Sequence, residues 1–222
     1  MSNDVTAPGW EAIDRVVSSH YLGQTPHQYA SKAPYEQSSA SPLPAITAWQ
    51  GHADTWHLVT YGLSELFDKT SEDPEVSGFG FELTLSIVRR SSDEQPPPWA
   101  VRFLQALGKL VFEARGGLDT GHCIDLGAPL DANKTSSLVG VVCVPDPVLG
   151  KITTPNGSVL FLRLIGLTRA ELEIFEALGR EASVLALASI DPRGITDLHR
   201  KAWLQDEQKL KIIRRVQAGL ML

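Results

Sequence analysis

Histidine, cysteine and aspartate are the residues of this sequence that could bind a metal ion. His52 and His57 lie close together, and His122, Cys123 and Asp125 cluster later in the chain. No pair has the spacing of a Cys-x-x-Cys or His-Glu-x-x-His zinc motif, in which a turn or a helix brings neighbouring ligands to one ion. His122 and Cys123 do not form a nucleophile–base pair either, because neighbours in a strand point to opposite faces. The sequence therefore predicts no metal site, no catalytic residue and no cofactor.

An enzyme stays open as the alternative function. Glu82 alternates with large apolar residues in a predicted strand, where a carboxylate serves either an ion pair or a site. Together with His57 and His122 it could line the cleft of a hydrolase-like or metal-dependent enzyme. Gly78-Phe79-Gly80 begins like a phosphate loop, but it lacks the third glycine and the lysine and leads into a strand.

Charge is distributed unevenly along the chain. The segment Ser64 to Val76 holds five acids and one lysine, a net of −4, whereas Arg200 to the end holds six cations and two acids, a net of +4. An acidic segment is either a solvated loop or a docking surface for a basic partner, because complementary charge speeds encounter. The formal net charge of −6 argues against nucleic-acid binding, which needs an excess of cations.

Elements of both kinds are predicted, in an order that indicates an α+β domain rather than regular βαβ winding. In the clearest strand, residues 78–88, Phe79, Phe81, Leu83, Leu85 and Ile87 alternate with polar or small residues, which predicts one core face and one polar face. Further strands are predicted at 45–50, 55–61, 122–126, 138–144, 151–154 and 158–166.

Helices are predicted before, between and after these strands along the chain. After three prolines, Trp99, Phe103, Leu107, Leu110 and Val111 predict one apolar stripe. Others are predicted near residues 10–17, at 168–179 with a Thr168–Glu171 capping box, at 180–190 and at 205–220. Residues 18–44 carry four prolines and predict an irregular segment that lies on the core through Tyr21, Tyr29 and Tyr35.

Composition sets the class of protein. The chain has 222 residues, 43% of them hydrophobic and 21% charged, as in ordinary globular proteins. Its longest apolar run, Leu138–Val144, is too short to cross a membrane, and the first residues do not resemble a signal peptide. With two cysteines, a reduced and cytoplasmic protein is expected.

A series of motifs, in order along the chain, resembles the Suppressor of fused family. The motifs are residues 57–67 (HLVTYGLSELF), 77–84 (SGFGFELT), 98–100, 118–122, Asp146-Pro147, 153–157 (TTPNG), Phe161-Leu162, 164–168 (LIGLT) and 195–198 (ITDL). The similarity as a whole spans about residues 9 to 198, and several ordered motifs are more specific than one. The resemblance implies an α+β domain, a mixed β-sheet packed against helices, over residues 1–198, with residues 199–222 as a basic amphipathic helix packed on it or appended to it.

The resemblance also implies a non-enzymatic protein-binding role. The animal proteins bind transcription factors with two domains, whereas a chain of one domain is similar to bacterial members, many of which are immunity proteins that neutralise secreted toxins. A basic toxin domain is the expected partner, and neither nucleic acid nor membrane is expected. In the animal proteins a tyrosine and an aspartate contact the partner at positions that match Phe67 and Asp73 here. The predicted partner-binding residues are Glu65, Phe67, Asp68, Glu72, Asp73 and Glu75.

Overall fold

The computed structural model describes residues 6–30, 43–52, 54–131 and 135–220. The helices are α1 (Pro8–His20), α2 (Pro98–Ala114), α3 (Arg169–Leu178), α4 (Arg180–Ile190) and α5 (Glu207–Gln217). The strands are β1 (His27–Ala30), β2 (Ala45–Gly51), β3 (Thr55–Tyr61), β4 (Val76–Val88), β5 (Cys123–Asp125), β6 (Leu138–Pro145), β7 (Lys151–Thr154), β8 (Gly157–Thr168) and β9 (Ile195–Thr196).

All strands of the described residues belong to one mixed sheet. Its order is β1-β2-β3-β4-β8-β6-β5, with β7 beside β8 and β9 beside β4. The neighbours β4 and β8 run parallel, as do β4 and β9, and the other pairs are antiparallel. This mixed sheet with packed helices confirms the predicted α+β class.

Helices cover the two faces of the sheet. Leu83 and Leu85 of β4 point to the face where α2 packs, in one large apolar cluster. On the opposite face, α1 packs on β2, β3 and the first part of β8. The helices α3, α4 and α5 pack on β6 and on the last part of β8. A strip between these two helical groups remains for polar side chains.

The strand β4 is confirmed, but its second face is not a solvent face. Glu82, Thr84 and Ser86 are all buried. Strict alternation shows which residues share a face, and it does not show whether a helix covers that face. In this fold α1 and the α4–β9 connection cover it, and Glu82 and Thr84 bond there to other buried polar side chains.

The predicted stripe of α2 is partly wrong. Ala100, Leu104, Leu107 and Val111 are buried, whereas Leu110 is 50% exposed. Trp99 and Phe103 are half-buried at the border of the face. The buried face is thus rotated towards the small residues, and a side chain at Gly108 would lie only 2.7 Å from Leu43. The small residues let α2 approach the sheet closely.

The segment predicted as irregular contains ordered structure in its described part. Its start continues α1 to His20, and β1 pairs with β2 at the sheet edge. Tyr21 is buried and Tyr29 is partly buried against the core, as predicted. Tyr35 lies outside the described residues.

The last part of the chain folds back onto the sheet. Thr168 and Glu171 form the predicted capping box of α3. The Glu171 carboxylate also accepts hydrogen bonds from the side chain of Arg200 and the backbone N–H of Trp203. The helix α5 buries Ile213 and Val216 against its neighbours. The domain division at residue 198 stays a prediction.

No helix in the described residues could cross a membrane. The helices found there are too short or too polar to span a bilayer.

Candidate partner-binding surface

The turn after β3 is organised by the buried carboxylate of Glu82. Thr60 Oγ1 donates to Oε2 at 2.6 Å, and Oε1 accepts from the backbone N–H groups of Gly62 (2.8 Å) and Ser64 (2.9 Å) and from Ser64 Oγ (2.6 Å). Glu82 is 0% exposed, and it forms no salt bridge with a described cation. Burial raises the pKa of this carboxyl, against the opposing effect of its donors.

The acidic loop, residues 64–76, follows this turn and is tied together by Glu65. Its carboxylate accepts from the backbone N–H groups of Thr70 and Ser71, both at 2.6 Å, and from Gly78 N–H at 3.1 Å. Lys69 Nζ lies 3.1 Å from the same carboxylate and also donates to the carbonyl of Val76. Burial alone would raise the pKa of Glu65, but the hydrogen bonds from Thr70 and Ser71 lower it to about 2.

The β7–β8 hairpin fixes the acidic loop from outside. Asn156 Nδ2 donates to the carbonyls of Glu65 and Phe67, both at 2.8 Å. At the tip, Gly157 has φ 113°, and a Cβ there would lie 2.8 Å from the backbone of Val76. Only glycine allows this approach without strain. The loop is therefore held at both ends.

The predicted partner-binding residues divide into two groups. Asp68, Glu72, Asp73 and Glu75 are exposed on the acidic loop. Phe67 is half-buried, and the Glu65 side chain is 10% exposed and turned into the loop. The four exposed carboxylates are thus carried on a backbone that Glu65 holds.

An apolar groove of about 670 Å³ adjoins the acidic loop. Leu63, Phe67, Phe79 and Phe112 supply its apolar walls, and Asp68 lies at its border. The rings of Phe79 and Phe112 meet edge to face at 5.1 Å. Such a groove with a charged border is suited to an apolar anchor flanked by a cation.

A second centre of buried polar residues lies between α1 and α4, on the same face of the sheet. His57 Nε2 is 3.0 Å from Asp146 Oδ2, and Tyr21 hydrogen-bonds to His57 Nδ1. Arg163 donates to the same Asp146 oxygen from Nε (3.0 Å) and Nη2 (2.7 Å), and Thr84 Oγ1 donates to it at 2.5 Å. The guanidinium also reaches the carbonyls of residues 193 and 194. We call these side chains the Asp146 cluster.

Charge in the Asp146 cluster resides on one ion pair. Although burial would raise the pKa of Asp146, its bond to His57 and the charge of Arg163 hold that pKa well below the usual range. Burial, together with Arg163, lowers the pKa of His57, so the ring is neutral at pH 7. A neutral ring that donates to Asp146 from Nε2 must accept from Tyr21 at Nδ1. Burial also raises the pKa of Tyr21, which therefore keeps its proton.

The three residues of the alternative enzyme site are not brought together. His57 lies opposite Ser86 on β4, and Glu82 is four residues away along that strand, about 13 Å. His122 precedes β5, which is four strands from β3, or about 19 Å across the sheet. Its Nδ1 accepts from the backbone N–H of Asp119. No three His, Cys, Asp or Glu side chains within residues 6–30, 43–52, 54–131 and 135–220 are arranged to hold a metal ion.

Sequence reasoning missed the members of the Asp146 cluster apart from His57. Arg163 carried a signal, because it is the one charged residue of an otherwise apolar strand, β8. A cation in an interior strand needs a buried partner. Nothing in the sequence identified that partner, since Asp146 follows a different strand and Tyr21 follows α1.

Comparison with known proteins gives consistent matches. The family model described as Suppressor of fused protein (SUFU) matches residues 40–201. The human Suppressor of fused homolog is 30% identical over 155 residues, which are 65% of this chain and 32% of the human protein. The chain thus spans about a third of the length of the curated relatives it matches.

Solved structures agree with the family match. A chain in the crystal structure of the Sufu–Fu complex superposes with a TM-score of 0.83 at 26% identity, over 94% of this chain and 98% of that one. Drosophila Suppressor of Fused gives a TM-score of 0.85 at 26% identity, over 96% and 55% of the two chains. A SUFU homologue from Neisseria gonorrhoeae shares the fold, with a TM-score of 0.61 at 14% identity over 87% and 96%. This fold fits a protein-interaction role.

Proposed function

The chain belongs to the Suppressor of fused family, and we propose that it is a non-enzymatic module that binds a basic protein partner through the acidic loop and the adjoining groove. The observation that carries this proposal is the contrast, within the acidic loop, between a fixed backbone and exposed carboxylates. Its backbone is fixed by Glu65 and Asn156, while Asp68, Glu72, Asp73 and Glu75 remain exposed.

A fixed loop favours binding for an entropic reason. Ordering a flexible loop in a complex costs conformational entropy, which reduces affinity. Here the hydrogen bonds to Glu65 and the Asn156 bonds to residues 65 and 67 already order the backbone. A partner would therefore bind carboxylates whose backbone positions are already fixed, and little conformational entropy would be lost on binding.

Electrostatic attraction would act mainly on the rate of association. Like charges placed close together repel, and a purely structural loop gains nothing from four exposed carboxylates. A basic partner would offset this repulsion and would be steered to the loop. The steering weakens with salt, because the Debye length is about 8 Å at physiological ionic strength.

The groove supports an apolar contribution to affinity. Phe67 and Phe79 line it next to Asp68, so one side chain of the partner can be desolvated there while a neighbouring cation meets the carboxylate. Binding energy in interfaces concentrates in such apolar pockets. A relative with this fold has been crystallised as the Sufu–Fu complex, and its binding of a protein supports a protein partner here.

The finer proposal is an immunity-type role in the cytoplasm. In this proposal the partner is a basic toxin domain, and the chain neutralises it by occupying its surface. The net charge of −4 on the acidic loop supports a basic partner. The domain proposed to bind it is residues 1–198.

The first experiment compares association rates. The partner is captured from the native cell with the tagged chain and identified by mass spectrometry, and its binding kinetics are then measured at low and high salt. Asp68→Lys/Asp73→Lys should slow association several-fold at low salt and less at high salt. The matched control Glu173→Lys/Glu181→Lys makes the same charge change at exposed positions of α3 and α4 and should have a small effect. Equal association rates for both variants at every salt concentration would remove the acidic loop from the interface.

The second experiment tests the immunity role separately. The captured partner is expressed alone and together with this chain, and growth is followed. Arrest by the partner, relieved by the wild-type chain and not by Asp68→Lys/Asp73→Lys, is the expected result. A partner that leaves growth unaffected would contradict the toxin proposal, while the kinetic result on the loop would stand.

A further inference from the structure

A second cavity lies beside the Asp146 cluster, away from the acidic loop. It measures about 290 Å³, close to the lower limit of small-molecule sites at roughly 300 Å³. Tyr21, His57, Ser86 and Arg163 form its interior, and each of them is at most 5% exposed. His57 and Ser86 are direct neighbours on β3 and β4. Three of the four interior residues lie on strands of the sheet, so the interior is polar and is built mainly on the sheet.

The walls of this cavity contain two arginines, Arg163 and Arg193, and no carboxylate. His20, His52 and Arg193 line its outer part, and no aspartate or glutamate belongs to its lining. Asp146, which contacts the interior residues His57 and Arg163, forms a buried ion pair with Arg163, whose Nη2 is 2.7 Å from the carboxylate oxygen. Its negative charge is thus balanced, and the guanidinium of Arg193 supplies the excess charge at the entrance.

Two donors facing this space have no partner within the described residues. The Ser86 hydroxyl, on a residue that is 5% exposed, makes no hydrogen bond there. The Arg193 guanidinium forms no salt bridge there, although its backbone carbonyl accepts from Arg163. Arg193 is exposed, and the Ser86 hydroxyl is not among the fully buried unpaired atoms of the described residues, so water reaches both donors. An anionic group bound in the cavity would replace that water.

The rest of the lining is apolar and limits the kind of molecule that fits. Pro147, Val148, Pro192 and Ile195 form one side of the cavity. Val148 is 40% exposed, so an apolar surface is already open to solvent there. A ligand for this space has an anionic group for the donors and a compact apolar body for the prolines, valine and isoleucine.

We propose that this cavity is a binding site for a small organic carboxylate with a compact apolar body. The carboxylate accepts from Ser86 Oγ and from the Arg193 guanidinium, and the body packs on Pro147, Val148 and Ile195. One guanidinium and one hydroxyl match a single negative charge, which favours a carboxylate over a phosphate dianion. The site lies apart from the acidic loop and does not depend on the function proposed for that loop.

The experiment uses benzoate as the probe and benzamide as its neutral isostere. Binding is followed at fixed pH and constant ionic strength by the ring signals of His52 and His57 in NMR titrations of the full chain. Benzoate should give saturable shifts, benzamide should bind at least tenfold more weakly, and acetate, which lacks the apolar body, several-fold more weakly. Equal shifts with benzoate and benzamide, or no saturation, would overturn the proposal.

Two variants and a matched control assign the donors. Arg193→Gln and Ser86→Ala should each weaken benzoate binding about five- to tenfold, corresponding to the loss of one hydrogen bond to a charged group. Arg214→Gln removes an exposed cation of α5 instead and should leave binding unchanged. Arg193 is exposed, so its variant is expected to fold, and its unfolding curve checks this. Unchanged benzoate affinity in Arg193→Gln would overturn the proposal even if Ser86→Ala failed to fold.

Discussion

Glu82 and Asp146 are two buried carboxylates on the same sheet face, and they are stabilised in different ways. Glu82 accepts four hydrogen bonds, all from neutral hydroxyl and backbone donors. Asp146 accepts from Thr84 and from two backbone N–H groups as well, but it also faces the guanidinium of Arg163. The pKa of Glu82 is raised by burial, whereas that of Asp146 is lowered, because Asp146 is bonded to His57 and faces the counter-charge of Arg163.

The difference teaches what each carboxylate holds together. The donors of Glu82 come from residues 60–64, so it shapes one turn and the start of the acidic loop. The Asp146 cluster joins Tyr21 after α1, His57 on β3, Arg163 on β8 and the α4–β9 connection. Loss of the ion pair should therefore affect the whole fold, and loss of Glu82 mainly the turn.

The largest effect is expected for Arg163→Met. This change leaves the charge of Asp146 buried without its counter-charge, and removal of one partner of a buried ion pair costs about 3–5 kcal/mol. Urea unfolding measures the loss. Arg163→Met/Asp146→Asn should recover part of it, since the uncompensated charge is then absent.

An exposed ion pair provides the control for this variant. Arg169 and Asp125 are 50% and 45% exposed, so solvent screens their attraction, and Arg169→Met should reduce stability far less than Arg163→Met. If Arg163→Met lost as little as Arg169→Met, the Asp146 cluster would not hold the fold together.

A smaller loss is expected for Glu82→Gln. The amide keeps the size of the side chain but replaces one acceptor oxygen by a donor, which faces the donors of Thr60 or Ser64. An unsatisfied buried donor costs about 1–3 kcal/mol. Urea unfolding at pH 7 measures this loss, and faster amide exchange at Gly62 and Ser64 should accompany it. Glu75→Gln, at an exposed site of the acidic loop, is the control and should change stability by less than about 0.5 kcal/mol.

The pH dependence of stability, compared between the wild type and Glu82→Gln, distinguishes Glu82 from Asp146. Because the pKa of Glu82 in the folded protein is raised, the folded state binds more protons than the unfolded state above about pH 4.3. The free energy of unfolding of the wild type, relative to Glu82→Gln, should therefore increase as pH falls from 7 to 5. Asp146 has a lowered pKa, so its contribution is constant in this range and is lost only below about pH 3.9. A relative stability that is flat or decreases between pH 7 and 5 would contradict the raised pKa.

The sequence predicts well the features that depend on local pattern. Alternation along residues 79–87 predicts β4, and Thr168 with Glu171 predicts the start of α3, as found. The family motifs predict the α+β fold, which the solved structures confirm. These signals are local because they depend on side-chain period and on capping chemistry.

The rest depends on contacts between distant residues. Tyr21 and His57 are 36 residues apart, and His57 and Asp146 are 89 apart, so no spacing rule relates them. The inner role of Glu65 was missed for another reason. Half of its donors are backbone N–H groups, which nearly every residue has, and only the folded loop directs them to one carboxylate.

The smallest effect concerns Glu65, another carboxylate that accepts several hydrogen bonds. Unlike Glu82 and Asp146, it organises a surface loop, so Glu65→Gln should loosen this loop without changing global stability by more than about 1 kcal/mol. Lys69 reports the loosening, because trypsin can cleave after it only when the loop opens. We expect cleavage after Lys69 to become about fivefold faster in Glu65→Gln, whereas Asp68→Asn, at an exposed neighbour, should leave the rate near wild type.

In the wild type, the loop should stay as protected at pH 5 as at pH 7, since the pKa of Glu65 is about 2 and the carboxylate keeps its charge. A protease that is active at both pH values, such as one that cleaves after Phe67, allows this comparison. Equal cleavage in Glu65→Gln and the wild type would show that the Glu65 carboxylate does not hold the acidic loop, and that other contacts such as those of Asn156 do.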